Sequence, residues 1–142
     1  MLNLLFLNLL FLMAQPSASL QLRSLSDAQT QKITLDSAPP QVFVVFQKNC
    51  DACRKQVSDL DCLSDTTKVF LLGMFSTEDD LRTEYRRFGS SSPGFYGDTE
   101  AKKRLGIQQR LTPQIIIRGK SSKVALQGYR PCEAIAKMIT KL

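Results

Sequence analysis

One unbroken apolar run and a second, largely apolar one mark the chain. Val42-Phe43-Val44-Val45-Phe46 and Lys68-Val69-Phe70-Leu71-Leu72-Gly73-Met74-Phe75 are rich in β-branched and aromatic residues, which predicts strands buried on both faces. Three polar residues follow the first run, and then Cys50-Asp51-Ala52-Cys53. Arg54, Lys55 and Gln56 are good helix formers, and Val57, Leu60 and Leu63 recur every third position, so a helix is predicted to start at Cys50 and end around Leu63-Ser64-Asp65. After the second run, Ser76-Thr77-Glu78-Asp79-Asp80 supplies an N-cap and an acidic first turn for a helix carrying Leu81, Tyr85 and Phe88, which Gly89 ends. Ser90-Ser91-Ser92-Pro93-Gly94 reads as loop, and Gly97-Asp98-Thr99 caps a short helix through Ala101 and Leu105.

The C-terminal third alternates differently. Leu111-Thr112-Pro113-Gln114-Ile115-Ile116-Ile117 and Val124-Ala125-Leu126-Gln127-Gly128 flank a polar turn and predict an antiparallel hairpin. From Pro131 onward, Ile135, Met138, Ile139 and Leu142 share one face of a last helix. Before the first run, residues 20–40 are mixed and polar; Lys32-Ile33-Thr34-Leu35 offers a short edge strand, and Pro39-Pro40 breaks the pattern. The order strand, helix, strand, helix, short helix, hairpin, helix defines an α/β domain with a mixed four-stranded sheet flanked by helices.

The 142 residues suit one domain, and 43% hydrophobic with 23% charged side chains is ordinary for a globular protein. Met1 to Met13 carry no charged side chain and are almost all Leu and Phe; small residues follow at Ala14, Ser17, Ala18 and Ser19. A membrane-spanning helix needs about 20 apolar residues, so residues 1–19 read as a secretory signal peptide, 20–40 as a lead-in and 41–142 as the domain. An uncleaved N-terminus is the one route by which the membrane would be a partner. The net charge of +6 is spread over helix faces with no basic cluster denser than Arg82/Arg86/Arg87 or Lys102/Lys103/Arg104, which gives no reason to expect a nucleic-acid partner.

Four cysteines in an exported chain point to an oxidising compartment. At a helix start the unpaired N–H groups and the positive end of the helix dipole favour a thiolate, so the Cys50/Cys53 pair outlines a redox site. Two other uses compete. A staple across so few residues stabilises by only about 2 kcal/mol. Zinc or copper would have to be held by Cys50 and Cys53 with Cys62 and Cys132, because the chain has no histidine.

The order of elements, the C-x-x-C after a buried strand, and Thr112-Pro113 about sixty residues later at the mouth of another apolar strand resemble the thioredoxin superfamily. The stretch from Tyr96 to Ile107, with Thr112-Pro113 and Gly128, is most similar to its exported TlpA-like branch of thiol-disulfide oxidoreductases. The resemblance spans roughly residues 40 to 142. It implies a thioredoxin-like fold with the cysteines at a helix N-terminus and a cis Pro113 lying against them. Cys50 would be the exposed nucleophile, Cys53 the resolving thiol and Pro113 the third member of the catalytic set. Thr112 and Gly128 would form the substrate surface.

The implied activity is extracytoplasmic, in a periplasm or equivalent space. It exchanges disulfides with cysteine-containing proteins and a redox partner protein, works more as a reductant, and uses a monomer with no bound cofactor or metal. A redox-inert binding module of the same fold, or a thiolate metal-binding protein, is the alternative. The chain departs from thioredoxins proper in having no Trp, in Asn49 before the first cysteine, in Asp-Ala between the cysteines, and in Val44 where a buried acid would stand. Nothing is thereby assigned to carry a proton to Cys53. The resemblance also implies the fate of the other cysteines. A first helix running on to Cys62 would place it about 18 Å beyond Cys50, at ~1.5 Å per residue. Cys132, at the start of the last helix, would lie near Cys50 instead. No Cys62–Cys132 bridge is expected, and Cys62 reads as a small core residue.

Overall fold

In a computed structural model, residues 18–35, 39–107 and 110–142 are described. The segment read as a signal peptide lies outside them, apart from Ala18 and Ser19. The strands are β1 (Ser19–Ser24), β2 (Thr30–Thr34), β3 (Gln41–Phe46), β4 (Lys68–Gly73), β5 (Gly94–Tyr96), β6 (Gln114–Arg118) and β7 (Lys123–Gln127). The helices are α1 (Asp51–Ser58), α2 (Glu78–Phe88), α3 (Thr99–Leu105) and α4 (Cys132–Thr140). They form one mixed sheet of order β2-β1-β5-β4-β3-β6-β7 with helices on both faces.

β3 lies inside this sheet, parallel to β4 on one side and antiparallel to β6 on the other. Its side chains alternate between faces, as a strand requires. Val42, Val44 and Phe46 pack with Val57 of α1, Leu81 of α2 and Ile135 of α4, while Phe43 and Val45 pack with Ala101 and Leu105 of α3. All six residues of β3 are buried, which is why the sequence run is continuously apolar rather than alternating.

The sheet is larger than the four strands expected. Residues 19–34, read as a lead-in with one short strand, form the β1–β2 hairpin, and β1 continues the sheet by pairing with β5. β5 begins at Gly94, inside the stretch read as loop. Leu20, Leu22 and Ile33 bury into the same cluster as Phe43, yet on β1 and β2 they stand singly between polar residues, so a half-covered pair of outer strands looks polar in sequence. The helix caps fall where the sequence puts them: Thr77 accepts from the Asp80 N–H at 3.2 Å and Asp98 from the Ala101 N–H at 2.8 Å, while Gly89 takes the left-handed conformation that ends α2, with φ 59°.

α1 is shorter than predicted. It ends at Ser58, whose hydroxyl turns back to the Lys55 carbonyl, and the Asp59 N–H closes on the Gln56 carbonyl. Asp59 is withdrawn from the helix because its carboxylate Oδ2 accepts from the Tyr129 hydroxyl and from the Cys132 N–H. The chain then turns, and Cys62 comes out beside Cys132. The two form a disulfide with Cα atoms 6.0 Å apart, which overturns the expectation of no bridge. The 18 Å separation assumed a helix continuing to residue 62. Nor is Cys62 a core residue: it is exposed, and Cys132 is the enclosed partner.

Candidate active site

The C-terminal end of β3 delivers the chain through Lys48 and Asn49 to Cys50. Asn49 takes a left-handed φ of 55°, which asparagine tolerates well, and this corner brings Cys50 to the N-cap of α1. Cys50 and Cys53 form a disulfide with Cα atoms 5.2 Å apart. The Cys50 Sγ accepts from the Cys53 N–H at 3.1 Å, so a sulfur stands where a capping oxygen would usually sit. Cys50 is 9% exposed and Cys53 0%, so Cys50 is the less enclosed of the two, although it is buried rather than exposed as the resemblance implied.

The Thr112–Pro113 peptide bond is cis, and it faces the disulfide. The Thr112 hydroxyl donates to Cys50 Sγ at 3.5 Å, and the Thr112 carbonyl oxygen lies 3.7 Å from the same sulfur. Gly128 is joined to this peptide. Its N–H donates to the Pro113 carbonyl at 2.8 Å, with φ 78°. The structure thus brings Cys50, Cys53, Thr112, Pro113 and Gly128 together, with the Gly128 N–H engaged by Pro113.

Charges around the pair are matched. Lys48 pairs with Asp80 at 2.9 Å, and this contact, with a hydrogen bond from Thr77, holds the Asp80 carboxyl below its usual range. Arg54, the residue after Cys53, is bound through Nε to Glu84 at 2.8 Å and through Nη1 to the exposed Asp51 at 3.1 Å. The hydrogen bond and charge of Glu84 raise the Arg54 pKa further above its already high value. Lys55 Nζ lies 4.2 Å from the centre of the Tyr129 ring. Lys48, Arg54 and Lys55, the cations nearest in sequence to the pair, therefore each have a partner. Stabilisation of a Cys50 thiolate falls instead to the start of α1, the Cys53 N–H and the Thr112 hydroxyl.

Three residues of this neighbourhood escaped the sequence reading. Glu84 is a carboxylate with 2% exposure on α2, and Gln56 a fully enclosed amide one turn beyond Cys53. Asp59 joins the end of α1 to Tyr129 and Cys132. Gln56 was accessible in principle, since it is three residues from Cys53 and so on the same helix face. Glu84 and Asp59 depend on partners far along the chain. A four-thiolate metal set is not assembled, because Cys62 and Cys132 are bonded to each other, and the described residues hold no group of three or more metal-ligating side chains. A cavity of about 650 Å³ is lined by Leu60, Leu63, Val69 and Phe88 among others and includes none of the residues around the disulfide.

A mixed sheet with a cysteine pair capping the helix after an inner strand, faced by a cis-proline, is the thioredoxin fold, and solved structures agree. The chain is similar to a DsbF homologue from Corynebacterium diphtheriae, with 16% identity, 89% of this chain and 86% of that one covered, and a TM-score of 0.68. It is also similar to the exposed lipoprotein thioredoxin of Streptococcus pneumoniae, at 16% identity, 88% and 100% coverage and a TM-score of 0.71. A secreted Mycobacterium tuberculosis disulfide oxidoreductase homologous to E. coli DsbE matches at 8% identity, over 87% and 96% of the chains, with a TM-score of 0.66. No protein-family model and no curated protein matches the sequence. Among the described residues, no helix is long and apolar enough to cross a membrane.

Proposed function

We propose that the protein is an extracytoplasmic thiol-disulfide oxidoreductase that exchanges disulfides with cysteine-containing proteins through Cys50 and Cys53, working as a reductant. The observation that carries this reading is the position of the Cys50 sulfur: at a helix N-cap, in the less enclosed cysteine of the pair, and touched by Thr112 beside a cis-proline. Export is supported by the apolar N-terminal residues 1–19, and by the similarity to proteins named as secreted or exposed.

In the reducing direction the Cys50 thiolate attacks one sulfur of a partner disulfide. A Cys50–partner disulfide forms, and the other partner sulfur leaves as a thiolate that takes up a proton. The Cys53 thiol, losing its proton, then attacks Cys50 Sγ, closing the 50–53 disulfide and releasing the second partner thiol. Two electrons pass to the partner, and a dithiol redox partner must restore the reduced pair. Thr112 and Pro113 present backbone to the substrate chain beside the reacting sulfur, and Gly128, bonded to the Pro113 carbonyl, completes the substrate surface.

Substituting Cys53 by Ser removes the resolving thiol, so mixed disulfides through Cys50 should accumulate in the exporting cell and disappear on reduction. If no such species forms, protein substrates are excluded. In the wild-type protein, mild reduction should leave Cys50 selectively alkylated near neutral pH; an unreactive Cys50 would favour a redox-inert module.

A further inference from the structure

The contacts around the disulfide close on themselves. Cys50 touches Thr112, the Pro113 carbonyl accepts from Gly128, and two residues on, Arg130 is held by Gln56. Gln56 lies one helical turn from Cys53, which returns the path to the disulfide. Both bonds to Arg130 are to its backbone: the Arg130 N–H donates to Gln56 Oε1 at 2.7 Å, and Gln56 Nε2 donates to the Arg130 carbonyl at 2.9 Å. The Gln56 side chain is completely enclosed, so water does not compete for either bond.

We infer that Gln56 is a positioning residue for disulfide exchange: through Arg130, Gly128 and Pro113 it sets how Thr112 lies against Cys50, and hence where an extended cysteine-containing polypeptide is received. This rests on the function proposed above. An amide suits the task because it offers a donor and an acceptor to the two backbone groups of one residue and keeps both at every pH. A glutamate of the same shape would offer both only while protonated. Once ionised it has no hydrogen for the Arg130 carbonyl and faces that oxygen with its own lone pairs. Gln56 therefore clamps the Gly128–Arg130 segment without placing a titrating group behind Cys53.

The test uses reduced full-length protein, in excess over a fluorescent peptide of about ten residues carrying a mixed disulfide with a small thiol. Single-turnover traces give the half-saturating concentration and the limiting rate for wild type, Gln56→Leu and Gln56→Glu, at about pH 5 and about pH 9, on either side of the raised pKa of a buried carboxyl. Each variant is compared with wild type at the same pH, which removes the titration of Cys50 itself. Gln56→Leu should raise the half-saturating concentration about tenfold at both pH values, as expected when two buried hydrogen bonds are lost. Gln56→Glu should match wild type at the lower pH and Gln56→Leu at the higher.

A Gln56→Glu variant whose ratio to wild type does not change with pH overturns the inference, as does a change confined to the limiting rate. Should Gln56→Leu fail to fold, the Gln56→Glu comparison between the two pH values decides alone. Failure of the wild type to react with the peptide at either pH sinks the proposed function. A reactive wild type with a pH-independent Gln56→Glu sinks only the role of Gln56.

Discussion

Replacing Cys62 by Ser and Cys132 by Ala opens a disulfide whose cysteines are 70 positions apart in the chain. In the chain-entropy model a loop of that length restricts the unfolded state by about 4 kcal/mol, whereas the Cys50–Cys53 link, with a separation of 3, restricts it by about 2 kcal/mol. Cys132 is almost fully enclosed, so losing its sulfur removes some packing as well and brings the expected cost to about 4–5 kcal/mol. Equilibrium urea unfolding at 25 °C reads this directly: with a slope near ~2 kcal/mol per molar, the midpoint should fall by about 2 M relative to wild type. The slope should also rise, because the unfolded chain is no longer held compact. The matched control is Cys50→Ala/Cys53→Ala, expected to cost about half as much. A loss below about 1.5 kcal/mol for the long-loop variant, or a larger loss in the control, would refute the assignment of the second disulfide as the covalent lock of the fold.

Thr112→Val removes the hydroxyl that reaches Cys50 Sγ, and alkylation of the reduced protein near neutral pH should slow about threefold; an unchanged rate would show that the helix start alone stabilises the thiolate. Gly94→Ala puts a methyl group 2.4 Å from the Tyr85 ring, where β5 enters the sheet, and should cost about 1–3 kcal/mol in urea unfolding; a neutral result would mean that Tyr85 moves aside freely. The Asp80 carboxyl titrates below its unfolded value because of Lys48 and Thr77. Its contribution is therefore complete above about pH 4 and lost as pH falls through the lower folded value. Lys48→Met should flatten that acid limb in unfolding midpoints measured from about pH 2 to 5, and an unaltered limb would assign it to other carboxylates. Tyr129 behaves in the opposite sense. Its hydrogen bond to Asp59 raises its pKa, so the contribution is present below about pH 10 and lost as pH climbs through the folded value. Tyr129→Phe should remove that alkaline limb from the same measurement, and its persistence would place it elsewhere.

The features that the sequence by itself determined are those set by near neighbours in the chain. The continuous apolar run of β3, the caps Thr77, Asp98 and Gly89, and the cysteine pair at a helix start all follow from spacing and side-chain type within one or two turns. So does the mixed sheet with a terminal hairpin, of which β4, β3, β6 and β7 were the strands clearly legible; β1 and β2 bury apolar residues that sit singly among polar ones, and β5 is only three residues long. What tertiary structure decided is the set of partners separated by tens of residues. Asp59 ends α1 by binding Tyr129 and Cys132, and that early end carries Cys62 to Cys132. Glu84 binds Arg54 from α2, and Gln56 closes the ring through Arg130. Helical periodicity registers only the interactions within a helix, and whether α1 ends at Ser58 or runs on to about Leu63 depends on a carboxylate whose partners lie some seventy residues away.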